Sequence, residues 1–315
     1  MQQLKVLELF GGIGACSRAL ERLGIDYEIA DYVEIDKYAV MSFNAIHNTN
    51  FEPQDITQWD KDIEVDLIMH GSPCQDFSLA GKQAGGDERS GTRSSLMYET
   101  IRIVSKLKPK YVIWENVKNL LSKKHKHNFD AYLKTMEQLG YTNYYQILNA
   151  KDYGIPQNRE RVFTISILGE HNTFDFPQKQ ELKLKLKDML ENNVDEKYYL
   201  SNKWLNNTKY EDKTICETRY DEGIRTFKNN ICGSLRTIDA CGNKSVIEVK
   251  NITDYKIRKL TPKECWRLMG FDDVDFEKAQ KVNSNTQLYK QAGNSIVVNV
   301  LEEIFKELFK EGSQW

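Results

Sequence analysis

The chain has 315 residues, 40% hydrophobic and 29% charged, which is ordinary for a soluble globular protein and long enough for one large domain plus a smaller one. Nothing approaches the roughly 20 consecutive apolar residues that span a bilayer, and residues 1–12 lack a basic segment followed by an apolar run, so a cytoplasmic protein without membrane association is expected. The six cysteines form no C-x-x-C and stand at no finger-like spacing from the five histidines, which argues against structural zinc, any other metal site and a disulfide framework.

The net charge of −2 does not announce a polyanion partner, but its distribution is uneven. Residues 179–263 carry 18 basic and 13 acidic side chains, a net of +5, so the remainder carries −7. An electropositive face on an acidic protein fits a polyanion.

The first half alternates strand and helix. Residues 4–10 (LKVLELF) read as a buried strand, followed by the turn Gly11-Gly12-Ile13-Gly14 and a helix with Cys16, Ala19, Leu20 and Leu23 on one face. A strand at 27–35, a helix at 37–47, a strand at 65–70, a helix at 94–107, a strand at 111–114 and a helix at 129–139 follow, then strands at 144–148 and 162–168. This alternation implies a mostly parallel sheet with helices on both faces, whose ligands bind beyond the C-terminal ends of the strands. From about 179 the chain is rich in Asn, Thr and Tyr with weak periodicity, and reads as a second, smaller, irregular domain to about 282. An amphipathic helix over 295–309 returns to the first domain, with Val298, Leu301, Ile304, Phe305 and Leu308 on one face. The expected organisation is therefore 1–178 plus 283–315, and 179–282.

The chemistry-bearing residues lie just after strands. Phe10-Gly-Gly-Ile-Gly14 joins a strand to a helix N-terminus, where backbone N–H groups can cradle a polar ligand, and Glu34 ends the second strand, suited to a ribose diol. A nucleoside-bearing cofactor fits both. Ser17 stands where the dinucleotide fingerprint wants a third Gly or Ala, which favours a cofactor without a pyrophosphate. Asp55-Ile56 offers a carboxylate for an adenine amino group and an apolar side chain for the ring.

The sharpest signal is Gly71-Ser72-Pro73-Cys74-Gln75, a cysteine presented after a strand, where a nucleophile is useful. The next segment has four glycines among Lys82, Arg89 and Arg93, and reads as a mobile loop over 76–95. Glu115-Asn116-Val117 follows another strand, and Gln157-Asn158-Arg159-Glu160-Arg161 supplies two guanidinium groups.

FGGIG, GSPCQDFS, ENV, QNRER and QAGNS, in this order, with Arg258-Lys-Leu-Thr-Pro-Lys-Glu264, Arg267 and Met269-Gly-Phe271, resemble the motif set of bacterial and phage DNA cytosine-5 methyltransferases. The match covers 1–178 and 256–305. The resemblance implies an α/β fold: a Rossmann-like methyltransferase domain with a mostly parallel sheet, plus a smaller irregular target-recognition domain. It implies S-adenosylmethionine as methyl donor and double-stranded DNA as partner of a monomer. Phe10, Gly12, Gly14, Glu34, Ile35, Asp55, Ile56, Pro73, Leu96, Asn294 and Ser295 would hold the cofactor. Cys74 would attack C6 of cytosine, Glu115 would hydrogen-bond N3 and the exocyclic amine, and Arg161, supported by Arg159, would hold O2. Cys74, Glu115, Arg159 and Arg161 are thus the expected catalytic set. The base must be flipped out, at a cost of a few kcal/mol. Gln75, Ser78, Lys82 and Arg89 of the loop, and Ser234, Arg236 and Lys244 of the variable region, are the expected DNA contacts; Ser234-Leu235 stands where the family often carries Thr-Leu or Thr-Ile.

Three alternatives remain. An RNA cytosine-5 methyltransferase would share the scaffold, but the Cys-Phe-Thr of tRNA-type relatives is absent from this sequence. A non-catalytic DNA-recognition subunit would lack one of Cys74, Glu115 or Arg161. A nicotinamide-dependent oxidoreductase fits neither Ser17 nor the ordered motifs.

Overall fold

In a computed structural model, residues 3–72, 96–201, 211–219, 223–227, 231–236, 244–251 and 254–310 are described. The chain divides into two compact units. The first comprises Met1–Leu148, Glu160–Gln178 and Val300–Trp315; the second comprises Asn149–Arg159 and Lys179–Asn299. Residues 149–159 and 283–299, grouped by sequence with the larger domain, therefore cluster with the smaller one.

In the first unit the elements run β1 (Leu4–Leu9), α1 (Ala15–Arg22), β2 (Tyr27–Val33), α2 (Lys37–His47), β3 (Leu67–His70), α3 (Met97–Leu107), β4 (Tyr111–Val117), α4 (Lys126–Gln138) and β5 (Tyr141–Asn149), which ends at the unit boundary. After β6 (Gln157–Asn158), which belongs to the second unit, β7 (Glu160–Leu168) completes the sheet. Strand order is β2-β1-β3-β4-β7-β5. The β2–β1, β1–β3 and β3–β4 pairs are parallel, and β4–β7 is antiparallel. The order reverses between β1 and β3, the place where ligands bind in open α/β sheets.

Successive strand residues face opposite sides of a sheet, and β2 shows both sides covered. Tyr32 packs with Val40 and Phe43 of α2, its ring stacked on Phe43 at 3.8 Å. Val33 belongs instead to the main core with Leu7, Ile68, Ile103, Val112, Trp114 and Phe129. The helices begin and end for local reasons. Asp36 caps α2 by accepting from the Tyr38 N–H at 3.0 Å, and Asn48 and Lys108 end α2 and α3 in left-handed conformations at φ 55° and 47°. From Val300 onward, α9 (Val298–Leu308) belongs to this unit, held by Arg22 to Glu302 at 3.0 Å and Phe309 edge-on to Tyr111.

In the second unit, the segment expected to be irregular carries an antiparallel sheet ordered β12 (Asp254–Lys259), β11 (Lys244–Asn251), β8 (Thr214–Arg219) and β9 (Gly223–Thr226). The two-residue β10 (Cys232–Gly233) pairs in parallel with β6. The short helices are α5 (Leu186–Met189), α6 (Pro262–Arg267), α7 (Asp273–Ala279) and α8 (Asn285–Asn294). Thr261, Pro262 and Glu264 start α6 with a capping box and a proline at the first turn. Arg258, fully buried, donates to Glu248 at 2.9 Å and to both carboxylate oxygens of Glu264 at 2.8 Å, which ties the sheet to α6.

His70, the last residue of β3, generates a pH prediction. Its ring is fully buried, stacked on Trp114 with centroids 5.6 Å apart, and its Nε2 lies 3.2 Å from the Tyr132 hydroxyl. Burial pushes its pKa down to about 3. The unfolded chain, with an ordinary value near ~6.5, binds the proton more readily, so the folded state is favoured above ~6.5 and loses stability as pH falls toward 3. The expected slope is about 1.4 kcal/mol per pH unit below pH ~6. Urea unfolding at pH 7.5, 6.5 and 5.5 should give a shallower dependence for His70→Phe than for wild type. Equal slopes would refute it.

Candidate functional site

The β1–α1 turn is built around backbone conformations that most side chains avoid. Phe10, Gly12 and Gly14 all have positive φ, at 54°, 56° and 81°. A Cβ on Gly11 would strike the Tyr32 ring at 2.6 Å, and one on Gly14 would collide with His47 and with Phe43. At Gly12 it would meet nothing within 4 Å among the described residues, so the turn presents a bare backbone to open space there. The turn is pinned from β2. The Tyr32 hydroxyl donates to the Gly12 carbonyl at 2.6 Å, and the Gly12 N–H donates to Glu34 Oε2 at 3.2 Å. The other Glu34 oxygen accepts from the Asp36 N–H at 2.8 Å. Burial raises the pKa of Glu34 above its ordinary value, against the lowering effect of these two N–H donors. Beside it, Ile35 is 69% exposed, an apolar side chain with an uncovered face at the strand end.

The loop carrying Asp55 and Ile56 is tied to the same strand end. Gln54 donates from its backbone to the Glu34 carbonyl at 2.9 Å, and from its side chain to the Tyr32 carbonyl at 2.7 Å and to Asp31 at 3.0 Å. Asp31, buried inside β2, also accepts from Trp59 Nε1 at 2.7 Å and pairs with Lys61 at 2.7 Å. Asp55 is exposed and accepts from the Thr57 N–H and hydroxyl, both at 2.9 Å. Ile56 is buried in the main core, and Phe10 and Leu96 pack half-buried against that core. Thus Phe10, Gly12, Gly14, Glu34, Ile35, Asp55, Ile56 and Leu96 come together within the first unit. Pro73, Cys74, Gln75, Ser78, Lys82 and Arg89 lie outside the described residues.

The ENV tripeptide, expected to follow its strand, is instead the last part of β4, because pairing with β7 extends the strand by three residues: Glu115 faces Phe163, Asn116 faces Val162 and Val117 faces Arg161. Arg161 reaches back to Glu115 with Nε 3.0 Å from the carboxylate, the two side chains only 17% and 12% exposed. The neighbouring strand end is fastened here too: Trp114 Nε1 donates to Ser72 Oγ at 3.1 Å, and Asn116 Nδ2 donates to the Ser72 carbonyl at 3.4 Å. Ser72 stands two residues before Cys74.

Within the second unit, Arg159 is 4% exposed and donates to the carbonyls of Leu235 at 2.9 Å, Ser295 at 2.8 Å and Gly293 at 3.2 Å, and to Ser234 Oγ at 3.4 Å. Asn294, at the end of α8, is exposed, and Ser295 is buried. Arg236 is exposed, 3.6 Å from Glu217. Lys244 is not a surface cation: it is 6% exposed, 2.8 Å from Glu217, with its ammonium 4.9 Å over the Phe227 ring. A phosphate contact from Lys244 would require that pair to open. Sequence reasoning named Ser72 and Gln157 only as members of motifs and gave no loop-holding role to them or to Asp31, Gln54 and Trp59; a charged residue inside the β2 run (Asp31) was the available signal for the last three.

Among the described residues there is no group of three or more His, Cys, Asp or Glu that could hold a metal, and no helix long and apolar enough to cross a membrane. The sequence model of the C-5 cytosine-specific DNA methylases matches residues 4–310. The chain is 40% identical to the type II methyltransferase M2.ScrFI of Lactococcus lactis subsp. cremoris, covering 98% of this chain and 99% of that protein. It is 35% identical to the type II methyltransferase M.Bsp6I of Bacillus sp. strain RFL6, again over 98% and 99%. In fold it is similar to the Entamoeba histolytica methyltransferase EhMeth, with a TM-score of 0.74 at 19% identity over the full length of both chains.

The turn geometry separates two of its three glycines, Gly12 and Gly14. Gly14→Ala combines a left-handed conformation with a collision against the packed His47 and Phe43 rings, and should cost about 2–4 kcal/mol of stability. Gly12→Ala faces open space and should cost only about 1 kcal/mol. Urea unfolding of the two variants checks this; equal losses would refute the assignment of the clash.

Proposed function

The chain belongs to the C-5 cytosine-specific DNA methylase family and is a DNA cytosine-5 methyltransferase, and from that premise we propose how its residues carry the reaction. A methyl group passes from S-adenosylmethionine to C5 of a cytosine flipped out of a specific double-stranded DNA sequence, through a covalent bond from Cys74 to C6. The chain works as a monomer in the cytoplasm. The observation that carries this reading is the largely buried Glu115–Arg161 pair between β4 and β7, with Trp114 and Asn116 of β4 holding Ser72, two residues before Cys74 in sequence.

The residues of the β1–α1 turn and its neighbours fit the donor's chemistry. Open space over Gly12 admits a ligand against bare backbone, Glu34 offers a carboxylate to a ribose diol, and the exposed Ile35 offers an apolar face to a purine. Asp55 would accept from the adenine amino group and Phe10, Ile56, Pro73 and Leu96 would supply apolar walls; Asn294 and Ser295 are the cofactor residues proposed for the second unit. Bound there, S-adenosylmethionine supplies an electrophilic methyl group. The Cys74 thiolate bonds to C6 and pushes electrons onto C5, the carbon that accepts the methyl. In its protonated form Glu115 donates to N3 while its other oxygen accepts from the exocyclic amine, and Arg161 donates to O2, so the charge arriving on the ring meets fixed donors. Water or hydroxide then takes the C5 proton, the C–H electron pair re-forms the C5–C6 double bond as Cys74 leaves as thiolate, and the N3 proton returns to Glu115. Residues 179–282 form the target-recognition domain, with Ser234 and Arg236 at the DNA and Lys244 bracing Glu217 behind Arg236. Gln75, Ser78, Lys82 and Arg89, in the sequence after Cys74, are the further residues assigned to DNA.

DNA carrying 5-fluorocytosine at the target tests the covalent step, because fluorine cannot leave as the proton does. Wild type should form a denaturation-resistant adduct only with the methyl donor present, and Cys74→Ser should form none. An adduct with Cys74→Ser, or methylation by it, would overturn the mechanism. Glu115→Gln keeps shape and one donor but cannot transfer a proton. Its single-turnover methylation rate should fall by roughly 10²–10⁴ with DNA and cofactor affinity nearly unchanged. A wild-type rate would make Glu115 a structural partner only.

A further inference from the structure

We propose that Arg159 is a positioning residue that couples target recognition to cofactor binding, by fastening the segment Ser234–Arg236 to the segment Gly293–Ser295. It rests on the reading above, in which Ser234 and Arg236 face DNA and Asn294 and Ser295 face the cofactor. The geometry lies entirely within the second unit. Arg159 follows β6, whose pairing with β10 brings the chain after Cys232–Gly233 alongside. Leu235 is then gripped through both of its backbone groups. Its N–H donates to Gln157 Oε1 at 3.1 Å, and its carbonyl accepts from Arg159 Nη1 at 2.9 Å. The other arm of the same guanidinium, Nη2, donates to the carbonyls of Gly293 at 3.2 Å and Ser295 at 2.8 Å.

One planar group thus fixes the carbonyls on both sides of Asn294 and the residue that precedes Arg236. Guanidinium suits this task because its N–H groups diverge in a fixed plane, so neither segment can shift without losing a bond to the other. Arg159 is itself held: its N–H donates to Asn149 Oδ1 at 3.0 Å, and its carbonyl accepts from the Ala150 N–H at 3.1 Å. Gln157 Nε2 donates to the Leu268 carbonyl at 2.7 Å, which anchors the partner side chain of the clamp. A displacement of Ser234–Arg236 on binding DNA is transmitted through rigid, buried hydrogen bonds to the backbone around Asn294. Coupling of this kind is reciprocal, so bound cofactor must favour the DNA-ready arrangement by the same factor.

Lysine at 159 keeps the charge but cannot hold two divergent sets of carbonyls, so Arg159→Lys is the informative variant. The target is identified first from bisulfite sequencing of DNA from cells expressing wild type; failure to methylate there would overturn the functional reading itself. S-adenosylmethionine affinity is then measured calorimetrically, with and without a duplex of that sequence in which the target cytosine is replaced by 5-methylcytosine. In wild type the duplex should tighten cofactor binding roughly tenfold, and in Arg159→Lys by less than about twofold. KM for DNA should rise, and discrimination against a one-base-altered site should fall, each by more than any fall in the single-turnover rate at saturation. If Arg159→Lys does not fold, Gln157→Asn, which shortens the other half of the clamp, carries the same test. Undiminished coupling would overturn the proposal. So would a rate at saturation reduced by roughly 10² or more with KM unchanged, the signature of a group acting on the base.

Discussion

The Glu115–Arg161 ion pair exists because β7 runs against its neighbours in the sheet. In an antiparallel pair the start of one strand lies beside the end of the other, so the first residues of β7 stand at the C-terminal edge of β4. A parallel β7 would carry Arg161 to the far edge, roughly 20 Å away for a six-residue offset at about 3.3 Å per residue. The strand reversal therefore delivers a guanidinium to the edge where the parallel strands end. It also joins the largely buried charges of the pair, each of which would be costly there alone.

The same edge is organised by polar side chains set inside strands. Glu8 in β1 accepts from the Ser17 N–H at 3.0 Å and from its hydroxyl, fixing the first turn of α1. Burial raises the pKa of Glu8, and the Ser17 donors oppose that. Asp31 in β2 gathers Gln54, Trp59 and Lys61 and so holds the loop bearing Asp55. Asn116 in β4 holds Ser72. Each is a buried polar group that would be expensive unpaired, and each finds its partner in a loop or, for Glu8, at the start of a helix rather than in a neighbouring strand. Loops that would otherwise be free are therefore fixed by the sheet.

Much of this was legible in the sequence where periodicity and punctuation are strong. The α2 boundaries, the FGGIG turn and the first four residues of β4 follow from apolar runs, caps and glycines. Asp31 is marked by its charge inside the β2 run, but its partners, like those of Asn116, are distant in sequence and no spacing rule identifies them. The second unit was read as irregular because its strands are short and interrupted. The alternation in β11 and β12 is disguised by charged residues that are paired inside the unit: Arg258, Glu248 and Lys244 are charges that a sequence pattern reads as surface. Lys244 shows the cost of that reading most plainly, a cation assigned to the outside that sits over Phe227 and against Glu217.

Those charges also explain how a unit with few apolar strands keeps one arrangement. Glu248 accepts from Arg258 and Lys213, both at 2.9 Å, and from the Tyr199 hydroxyl at 2.8 Å. Burial alone would raise its pKa, but these three donors hold the carboxyl down at about 2. A buried ion pair adds little net stability over an apolar replacement, because desolvation offsets the attraction. What it does supply is register: Arg258 has one position in which it meets both Glu248 and Glu264, and a strand slipped by one residue would leave Arg258 and Glu264 buried and unmatched. Hydrophobic contacts alone, in a sheet of short strands, would tolerate such a slip more readily. A surface that must present Ser234 and Arg236 in one geometry needs that intolerance, and the unit obtains it from charge matching rather than from core volume.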